Sequence, residues 1–363
     1  MKVYTGAGLG DVYYQLLRDI TEHGRKIVTR GKTCLELPEP ITLEYTRPGF
    51  CWMRIPGRKF NPFFALAEVM WILSGNGNVE WISYFNKRMR DYSDGKEDFH
   101  GAYGVRIRKW IASWSNYAYI DQIECAVNKL RKDPFSRQAV ISLWDPDRDN
   151  PHANMQSKDI PCNNLVYYSL RDEELEQTVV IRSNDVVWGT PYNAIQFTHL
   201  QALVAGMLGA RMGKLTYVIQ NLHYYLDEYK PTLSNLLEQA YEKHIQAESI
   251  PSFETVSEEK FKLAAMKVNR IRRVVDNGET LWFLGQENPE TLGGYWGYVI
   301  PRMLLIFALI KRAYVMDSDV DWMLNQISVL GQPLTDLIID FYKDSANPVA
   351  QRVLQLLQVR KEG

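Results

Sequence analysis

The middle of the chain constrains the fold most, because three strand-like segments there are followed by an apolar helical segment. The strand-like segments are rich in Val, Ile and Tyr and read SRQAVISLWDP, VYYSLRDEE and EQTVVIRSNDVVW. An acidic turn at Asp172–Glu174 joins the second and third segments and predicts a hairpin. Residues Gln196–Gly209 predict a buried helix, and Leu215–Leu222 predict a further strand. The fold class is therefore α+β, a sheet backed by helices.

The first half of the chain supplies further elements. Residues Asp11–Arg25 predict an amphipathic helix, and Leu35–Pro48 alternate around prolines as a strand and edge do. Residues Asn61–Gly75 predict a strongly apolar helix, opened by an Asn and a Pro and closed by a Gly. A third helix is predicted at Asp121–Lys132.

The last hundred residues differ from the rest in their pattern of apolar and polar residues. From Glu258 to Val359 the pattern is almost wholly helical, with turns at NGE, QENPE and LGQP. We predict two domains, residues 1–252 and a C-terminal all-helical extension at 253–363, with the boundary near Ile250–Phe253. The most apolar stretch, Gly293–Ile310, contains Pro301 and Arg302, which favours a buried helix over a membrane span.

Composition excludes several classes of function. Lys plus Arg number 42 against 43 acidic residues, so no field favours direct binding to nucleic acid or to an anionic membrane. The N-terminus lacks the apolar segment of a signal peptide. Four cysteines without CxxC spacing indicate neither a zinc site nor a disulfide framework. We expect a cytoplasmic protein, of a cell or of a virus-infected host cell.

Three short motifs in the central region carry the chemistry. They are DIPCNNL around Cys162, RSNDVVWGTPYN from Arg182 to Asn193, and NLHYY from Asn221 to Tyr225. Taken singly, each has an ordinary structural reading: a buried thiol, a surface arginine, an asparagine in a turn and a core histidine. Taken together, they resemble the thymidylate synthase family, which includes the deoxynucleotide hydroxymethylases, over about residues 10–253.

The resemblance implies a cysteine nucleophile. A thiolate that adds to carbon 6 of uracil turns carbon 5 into a nucleophilic enolate carbon, and the thiolate leaves at the end. Cys162 takes this role, and the cation of Arg182 would stabilise its thiolate. Asn163 stands where the family usually has His. Glu68, in ALAEVMW, resembles the family's catalytic Glu, and Tyr103, in HGAYGVR, resembles its active-site Tyr near carbon 5.

The resemblance also implies a phosphate site shared between two subunits. Arg182 and Ser183 offer a guanidinium and a hydroxyl to the nucleotide phosphate. Arg137, in DPFSRQAVISLW, resembles the arginine that the family donates across the dimer, and Arg30, in TRGKT, resembles its N-terminal phosphate clamp. A shared site implies an obligate homodimer.

The remaining implied contacts concern the base, the sugar and the folate. An Asn amide pairs with the O4 and N3–H of uracil, whereas cytosine presents the opposite pattern, so Asn193 favours a uracil nucleotide. His223 and Tyr225, two residues apart on one strand face, resemble the pair that holds the sugar 3′ hydroxyl. Asp185 and Trp71 are the predicted folate-binding residues, with Asp185 at the pterin.

The predicted reaction transfers a one-carbon unit from 5,10-methylenetetrahydrofolate to dUMP without a metal. In the family a hydride turns the resulting exocyclic methylene into a methyl group, and water turns it into a hydroxymethyl group. Two features favour water: Arg90 and Ser93 stand where a synthase has tryptophans, and the chain continues as helix where a synthase ends in a short lid.

The sequence thus predicts a deoxyuridylate hydroxymethyltransferase, of the kind that viruses with hydroxymethyluracil DNA use. The alternatives are a thymidylate synthase with a fused helical domain, a dCMP or CMP hydroxymethylase, and a non-catalytic nucleotide-binding regulator. A ribonucleotide substrate also stays open.

Overall fold

A computed structural model describes residues 1–55, 60–111, 119–228, 236–238, 247–248, 255–276, 294–312 and 315–362. The strands are β1 Lys2–Gly6, β2 Arg25–Thr29, β3 Lys32–Glu36, β4 Ile41–Tyr45, β5 Trp52–Met53, β6 Trp110–Ile111, β7 Tyr119–Ile120, β8 Val140–Ser142, β9 Asn163–Arg171, β10 Glu174–Ile181, β11 Asn184–Asp185, β12 Arg211–Ile219, β13 Leu222–Tyr225 and β14 Ala247–Glu248.

The α-helices are α1 Leu9–His23, α2 Pro62–Leu73, α3 Val79–Ser83, α4 Tyr103–Arg108, α5 Gln122–Lys132, α6 Pro146–Asn154, α7 Gly189–Leu208, α8 Glu258–Asp276, α9 Ile300–Ile310, α10 Asp317–Val329, α11 Gln332–Tyr342 and α12 Pro348–Glu362. A 3₁₀ helix spans Lys87–Tyr92 and a π-helix spans Tyr295–Val299.

A six-stranded mixed sheet forms the centre of the molecule. Its strand order is β1-β4-β12-β10-β9-β8. At its middle, Val179 of β10 pairs with Tyr217 of the parallel strand β12 and with Val166 of the antiparallel strand β9. All three side chains are buried on the face that the helices cover. The predicted α+β class, a sheet backed by helices, is confirmed.

The predicted hairpin joins β9 to β10. Its two central residues, Asp172 and Glu173, both have positive φ, at 47° and 63°. Two consecutive left-handed residues give the backbone twist that matches a two-residue hairpin, and Asp tolerates this conformation better than most side chains do.

Helix α7 begins seven residues before the predicted start at Gln196, and this part of the prediction was wrong. The predicted helix left Gly189 and Pro191 outside it, and a turn there was the ordinary structural reading of Asn193. Pro191 instead lies in the first turn of α7, where the missing N–H has no intrahelical partner to lose. Asn193 therefore lies within α7, and this helix is buried on all sides from Thr190 to Ala205.

Two other predicted strand segments are each divided between the two larger sheets. The predicted strand and edge at Leu35–Pro48 are the end of β3 and the whole of β4, which belong to different sheets. The predicted strand at Leu215–Leu222 ends at Ile219, and Leu222 opens β13 in the second sheet. That sheet has the order β11-β13-β3-β2 and forms one wall of the cavity described below.

The C-terminal region is helical, as predicted, wherever the structure describes it. The boundary predicted near Ile250–Phe253 and the NGE and QENPE turns lie outside the described residues. The apolar stretch forms the π-helix and α9, in which Arg302 is buried with its guanidinium 3.4 Å from the centre of the Tyr298 ring. Among the described residues, no helix has the length and apolar character needed to cross a membrane.

Candidate active site

A cavity of about 1080 Å³ opens between α2, the start of α7 and the second sheet. Ten of the twelve residues predicted for the site line it. These are Arg30, Glu68, Tyr103, Cys162, Arg182, Ser183, Asp185, Asn193, His223 and Tyr225. Arg30 and Tyr225 lie 195 residues apart in the chain, so the fold brings together what the sequence separates.

Cys162 lies directly before β9, and its thiol is partly exposed to the cavity. Two contacts fix its position. The hydroxyl oxygen of Tyr103 accepts hydrogen bonds from the backbone N–H groups of Cys162 at 3.1 Å and of Asn163 at 3.3 Å. Nη2 of Arg182 donates a hydrogen bond to the sulfur at 3.8 Å.

Arg182 is itself held rigidly by the loop that carries the cysteine. Its Nε donates to the carbonyl oxygen of Pro161 at 2.8 Å, and its Nη2 donates to that of Ile160 at 3.1 Å. A guanidinium has five N–H donors, so this anchoring leaves further donors for a ligand. The arrangement keeps the cation beside the thiol without relying on a bound substrate.

Glu68 faces the cavity from the middle of α2. Its carboxyl group accepts a hydrogen bond from the side-chain amide of Gln196 on α7. Burial raises the pKa of Glu68 to about 8, although the hydrogen bond from Gln196 acts in the opposite direction. A carboxyl group with this pKa exchanges its proton near neutral pH, as a general acid or base requires.

Asn193 belongs to a chain of amides at the base of the cavity. Its Nδ2 donates to Oδ1 of Asn184 at 3.1 Å, and its Oδ1 accepts from Nδ2 of Asn163 at 3.4 Å. Asn184 in turn donates to Oγ1 of Thr190 at 2.9 Å. These contacts fix the plane of the Asn193 amide, so its remaining donor and acceptor positions are presented to a ligand in one orientation.

The opposite end of the cavity is polar and cationic. Arg30 lies at the tip of the β2–β3 hairpin in a left-handed conformation, with φ of 47°. The rings of His223 and Tyr225 meet edge to face at 4.9 Å, and Nδ1 of His223 lies 3.1 Å from Oδ1 of Asn221. Burial lowers the pKa of His223 to about 4, so its imidazole is neutral at physiological pH.

Of the three remaining predicted residues, Asp185 lines the cavity, whereas Trp71 and Arg137 do not. Asp185 lines the cavity, and its Oδ1 accepts from the N–H groups of Val187 at 2.6 Å and Trp188 at 2.9 Å. Trp71 lies behind the wall, where its indole N–H donates to the carbonyl of Asn78. Arg137 is exposed, three residues before β8. The structure therefore does not bring Trp71 or Arg137 to the cavity of its own chain.

Sequence reasoning missed several residues that line or frame the site. Gln196 and Asn184 contact predicted residues directly, and Tyr192 stacks on Phe60 at 4.8 Å beside the cavity. Gln196 follows Asn193 by three positions and so shares its helix face. Recognising that α7 begins at Gly189 would have found it.

Charge around the cavity matches an anionic substrate. Cationic side chains line it from four separate segments: Arg30, Lys32, Lys87, Arg88, Lys158 and Arg182. A thiol beside a guanidinium, with a carboxyl group and an oriented amide facing the same space, suits an enzyme that modifies a small anionic molecule through a covalent cysteine adduct.

Comparison with known proteins agrees with this class. The thymidylate synthase family profile matches residues 11–274, and the chain belongs to that family. Its fold is the thymidylate synthase fold. The chain is 33% identical over 262 residues, 71% of its length, to a deoxyuridylate hydroxymethyltransferase of Bacillus phage SP01, of which the match covers 68%.

Two further relatives are more distant in coverage or identity. A deoxyuridylate hydroxymethyltransferase of Pseudomonas phage M6 is 34% identical over 227 residues, 62% of each chain. A thymidylate synthase of Corynebacterium aurimucosum is 28% identical over 178 residues, 49% of this chain and 64% of the relative.

Proposed function

We propose that this enzyme transfers a one-carbon unit from 5,10-methylenetetrahydrofolate to carbon 5 of dUMP, and that water completes the reaction to give 5-hydroxymethyl-dUMP. One observation carries the proposal: Cys162, Glu68 and Asn193 face a single cavity whose rim is cationic. These are the nucleophile, the proton-transfer group and the base-recognition group that the reaction needs.

Each residue then has a defined role. Cys162 adds to carbon 6 of the uracil, and Arg182 stabilises the thiolate. Tyr103 fixes the backbone at Cys162 by accepting its N–H hydrogen bond. Glu68, whose pKa is about 8, moves a proton to or from the base and the attacking water. Asn193 presents its amide to O4 and N3–H, and the neutral imidazole of His223 binds the sugar hydroxyl with Tyr225.

The cavity wall that the 3₁₀ helix forms supports the proposal that water is the final acceptor. The 3₁₀ helix at Lys87–Tyr92 reaches the cavity with Lys87, Arg88, Met89 and Tyr92. Cationic side chains at a cavity wall keep water bound, and a hydride transfer requires that water be excluded. Two of the relatives described above, at 33% and 34% identity, are named as deoxyuridylate hydroxymethyltransferases.

A homodimer through the outer face of the main sheet is part of this proposal. Val140 of β8 pairs with Tyr167 of β9, and their side chains are 38% and 41% exposed. Val180 and Val218, which are also paired, continue this apolar face and are partly exposed. Arg137 is exposed three residues before β8, where it is available to a partner subunit. The cytosol of a cell or an infected host remains the expected compartment.

Mass spectrometry of the nucleotide product tests the proposal. The purified protein is incubated with dUMP and methylenetetrahydrofolate, and a Cys162→Ala variant is the matched control. We expect 5-hydroxymethyl-dUMP with release of tetrahydrofolate from the wild type, and no product from the variant, which still binds dUMP.

Other products would each point to a different function. A methyl product with dihydrofolate would make the enzyme a thymidylate synthase. Turnover of dCMP, UMP or CMP in place of dUMP would overturn the reading of Asn193, and activity in the Cys162→Ala variant would overturn the covalent mechanism.

A further inference from the structure

Phe341, a residue of the C-terminal helical region, lines the same cavity as Cys162 and Glu68. It lies in the last turn of α11, well beyond the segment 11–274 that matches the family profile. Its ring is partly exposed to the cavity. The C-terminal helices therefore contribute part of the site wall in addition to packing on the core.

Phe341 stands at the apolar end of the cavity. Its ring meets Phe63, in the first turn of α2, edge to face at 5.8 Å. Phe64 and Glu68 of the same helix face the cavity. Because a helix rises 1.5 Å per residue, Phe63 lies about 7.5 Å along α2 from Glu68. Phe341 is thus within reach of a molecule that extends from the carboxyl group of Glu68 toward the start of α2.

A charged contact holds α11 in this position. Arg54, which follows β5, donates through Nε to Oδ2 of Asp340 at 2.5 Å and through Nη2 to its Oδ1 at 3.3 Å. Its Nη1 also donates to Asp336 at 3.1 Å. Asp340 directly precedes Phe341, so this two-pronged ion pair fixes the backbone that carries the aromatic ring.

A second C-terminal helix supports the same wall from behind. Phe307 of α9 stacks on Phe85 with ring centres 5.3 Å apart and planes inclined by 28°. Phe85 lines the cavity itself. Two helices outside the profile match therefore define the apolar end, which also includes Phe64, Met89 and Tyr192.

We propose that Phe341, fixed by the Arg54–Asp340 ion pair, is a binding determinant for the flat aromatic rings of the folate co-substrate. This inference rests on the proposed function. The cationic end of the cavity, with Arg30 and Arg182, suits the nucleotide phosphate. The apolar end offers aromatic faces and edges to a second, ring-containing molecule.

Binding of tetrahydrofolate to the dUMP-saturated protein tests the inference without requiring turnover. In Phe341→Ala the tetrahydrofolate Kd is expected to rise about tenfold, since one aromatic face of its site is lost. The Kd for dUMP alone is expected to stay within about twofold of the wild type, because a site without shared partners is independent. Asp340→Asn, which weakens the ion pair and leaves the ring intact, is expected to raise the tetrahydrofolate Kd by a smaller factor.

Arg352→Met is the matched control, because it breaks the exposed Arg352–Asp317 ion pair in the same helical region, remote from the cavity. It is expected to change neither Kd. If both Phe341→Ala and Asp340→Asn bind tetrahydrofolate as tightly as the wild type, the inference is wrong and the proposed function stands. If the wild type with dUMP does not bind tetrahydrofolate at all, the inference and the proposed function both fail.

Discussion

Glu68 of α2 and Gln196 of α7 both line the cavity, and the side-chain amide of Gln196 donates a hydrogen bond to the carboxyl group of Glu68. An isolated glutamate is ionised at neutral pH. Burial raises the pKa of this one to about 8, so at neutral pH the folded protein keeps its proton. The chemistry thus depends on the surroundings of the residue as much as on its type.

Glu68→Gln should remove a pH dependence of stability. The folded carboxyl group, with a pKa of about 8, binds its proton more tightly than the unfolded one, with a pKa of 4.5. Stability from this group is therefore complete below the lower value and is lost as the pH rises to the upper one, by up to about 1.4 kcal/mol per pH unit. Urea denaturation between pH 5 and pH 9 measures the slope. Equal slopes in wild type and variant would contradict the raised pKa.

Asn193→Asp should shift the base preference toward cytosine. A protonated aspartic acid offers the donor and acceptor pattern that cytosine requires, and an ionised one is disfavoured beside Oδ1 of Asn184. We expect the ratio of dCMP to dUMP affinity to rise about tenfold, the effect of one or two exchanged hydrogen bonds. Titration calorimetry with both nucleotides measures it.

Asn164→Asp is the matched control for this substitution. Asn164 follows Asn163 on β9 and does not line the cavity. It introduces the same side chain and is expected to leave the ratio unchanged. An unaltered ratio in Asn193→Asp would show that this amide does not select the base.

At the scale of elements, α7 connects the site to the C-terminal helices. Its first eight residues include Asn193 and Gln196, and its buried His199 lies with Nε2 3.1 Å from the hydroxyl of Tyr295 in the π-helix. Burial lowers the pKa of His199 to about 3, so the contact is between neutral groups. One helix therefore positions cavity-lining side chains at one end and docks the helical region along its length.

Gly206→Ala should destabilise this packing. A Cβ at Gly206 would lie 2.2 Å from the carbonyl oxygen of Val256, which is backbone and cannot rotate away. The clash is expected to exceed the gain in helix propensity, about 1 kcal/mol, and to lower the free energy of unfolding by about 1–3 kcal/mol. Chemical denaturation measures the change.

Gly209→Ala provides the comparison for that prediction. A Cβ there meets no neighbouring atom, but Gly209 has φ of +70°, so the cost is conformational, about 1 kcal/mol. If Gly206→Ala proved as stable as the wild type, the close approach of α7 to the segment around Val256 would be wrong.

At the scale of the whole molecule, the position of Arg137 leaves the proposed phosphate site of a single chain without one predicted cation. Arg137 is exposed and lies outside the cavity of its own chain. If a partner subunit donates it, co-expressed Cys162→Ala and Arg137→Ala chains should recover activity that neither has alone. A mixed dimer then contains one intact site, and random pairing restores about a quarter of the wild-type sites.

Activity per active site after separation of the mixed species measures this complementation. Recovery would require that Cys162 and Arg137 of one site come from different subunits. Absence of recovery in a verified mixed dimer would place Arg137 outside the phosphate site. Size-exclusion chromatography of each single variant is the control for dimer formation.

Local patterns in the sequence were sufficient to predict several turns, helix starts and the family. The hairpin at Asp172–Glu173, the opening of α2 by Asn61 and the opening of α5 by Asp121 depend on turn and capping chemistry within a few residues. The thymidylate synthase resemblance was carried by motifs of five to twelve residues and agrees with the family match. The start of α7 was missed because glycine and proline occur both in turns and in the first turn of helices.

By itself, the sequence determined the α+β class, the longer helices, the central strands β8, β9, β10 and β12, and the family, since each depends on neighbours along the chain. Only the tertiary structure decided that the Asn193 amide is oriented by Asn163 and Asn184, that Glu68 has a pKa of about 8, and that Phe341 reaches the cavity. These properties depend on burial and on contacts between residues far apart in the chain. No local pattern encodes them, because desolvation and side-chain packing act only once the folded chain has brought those residues together.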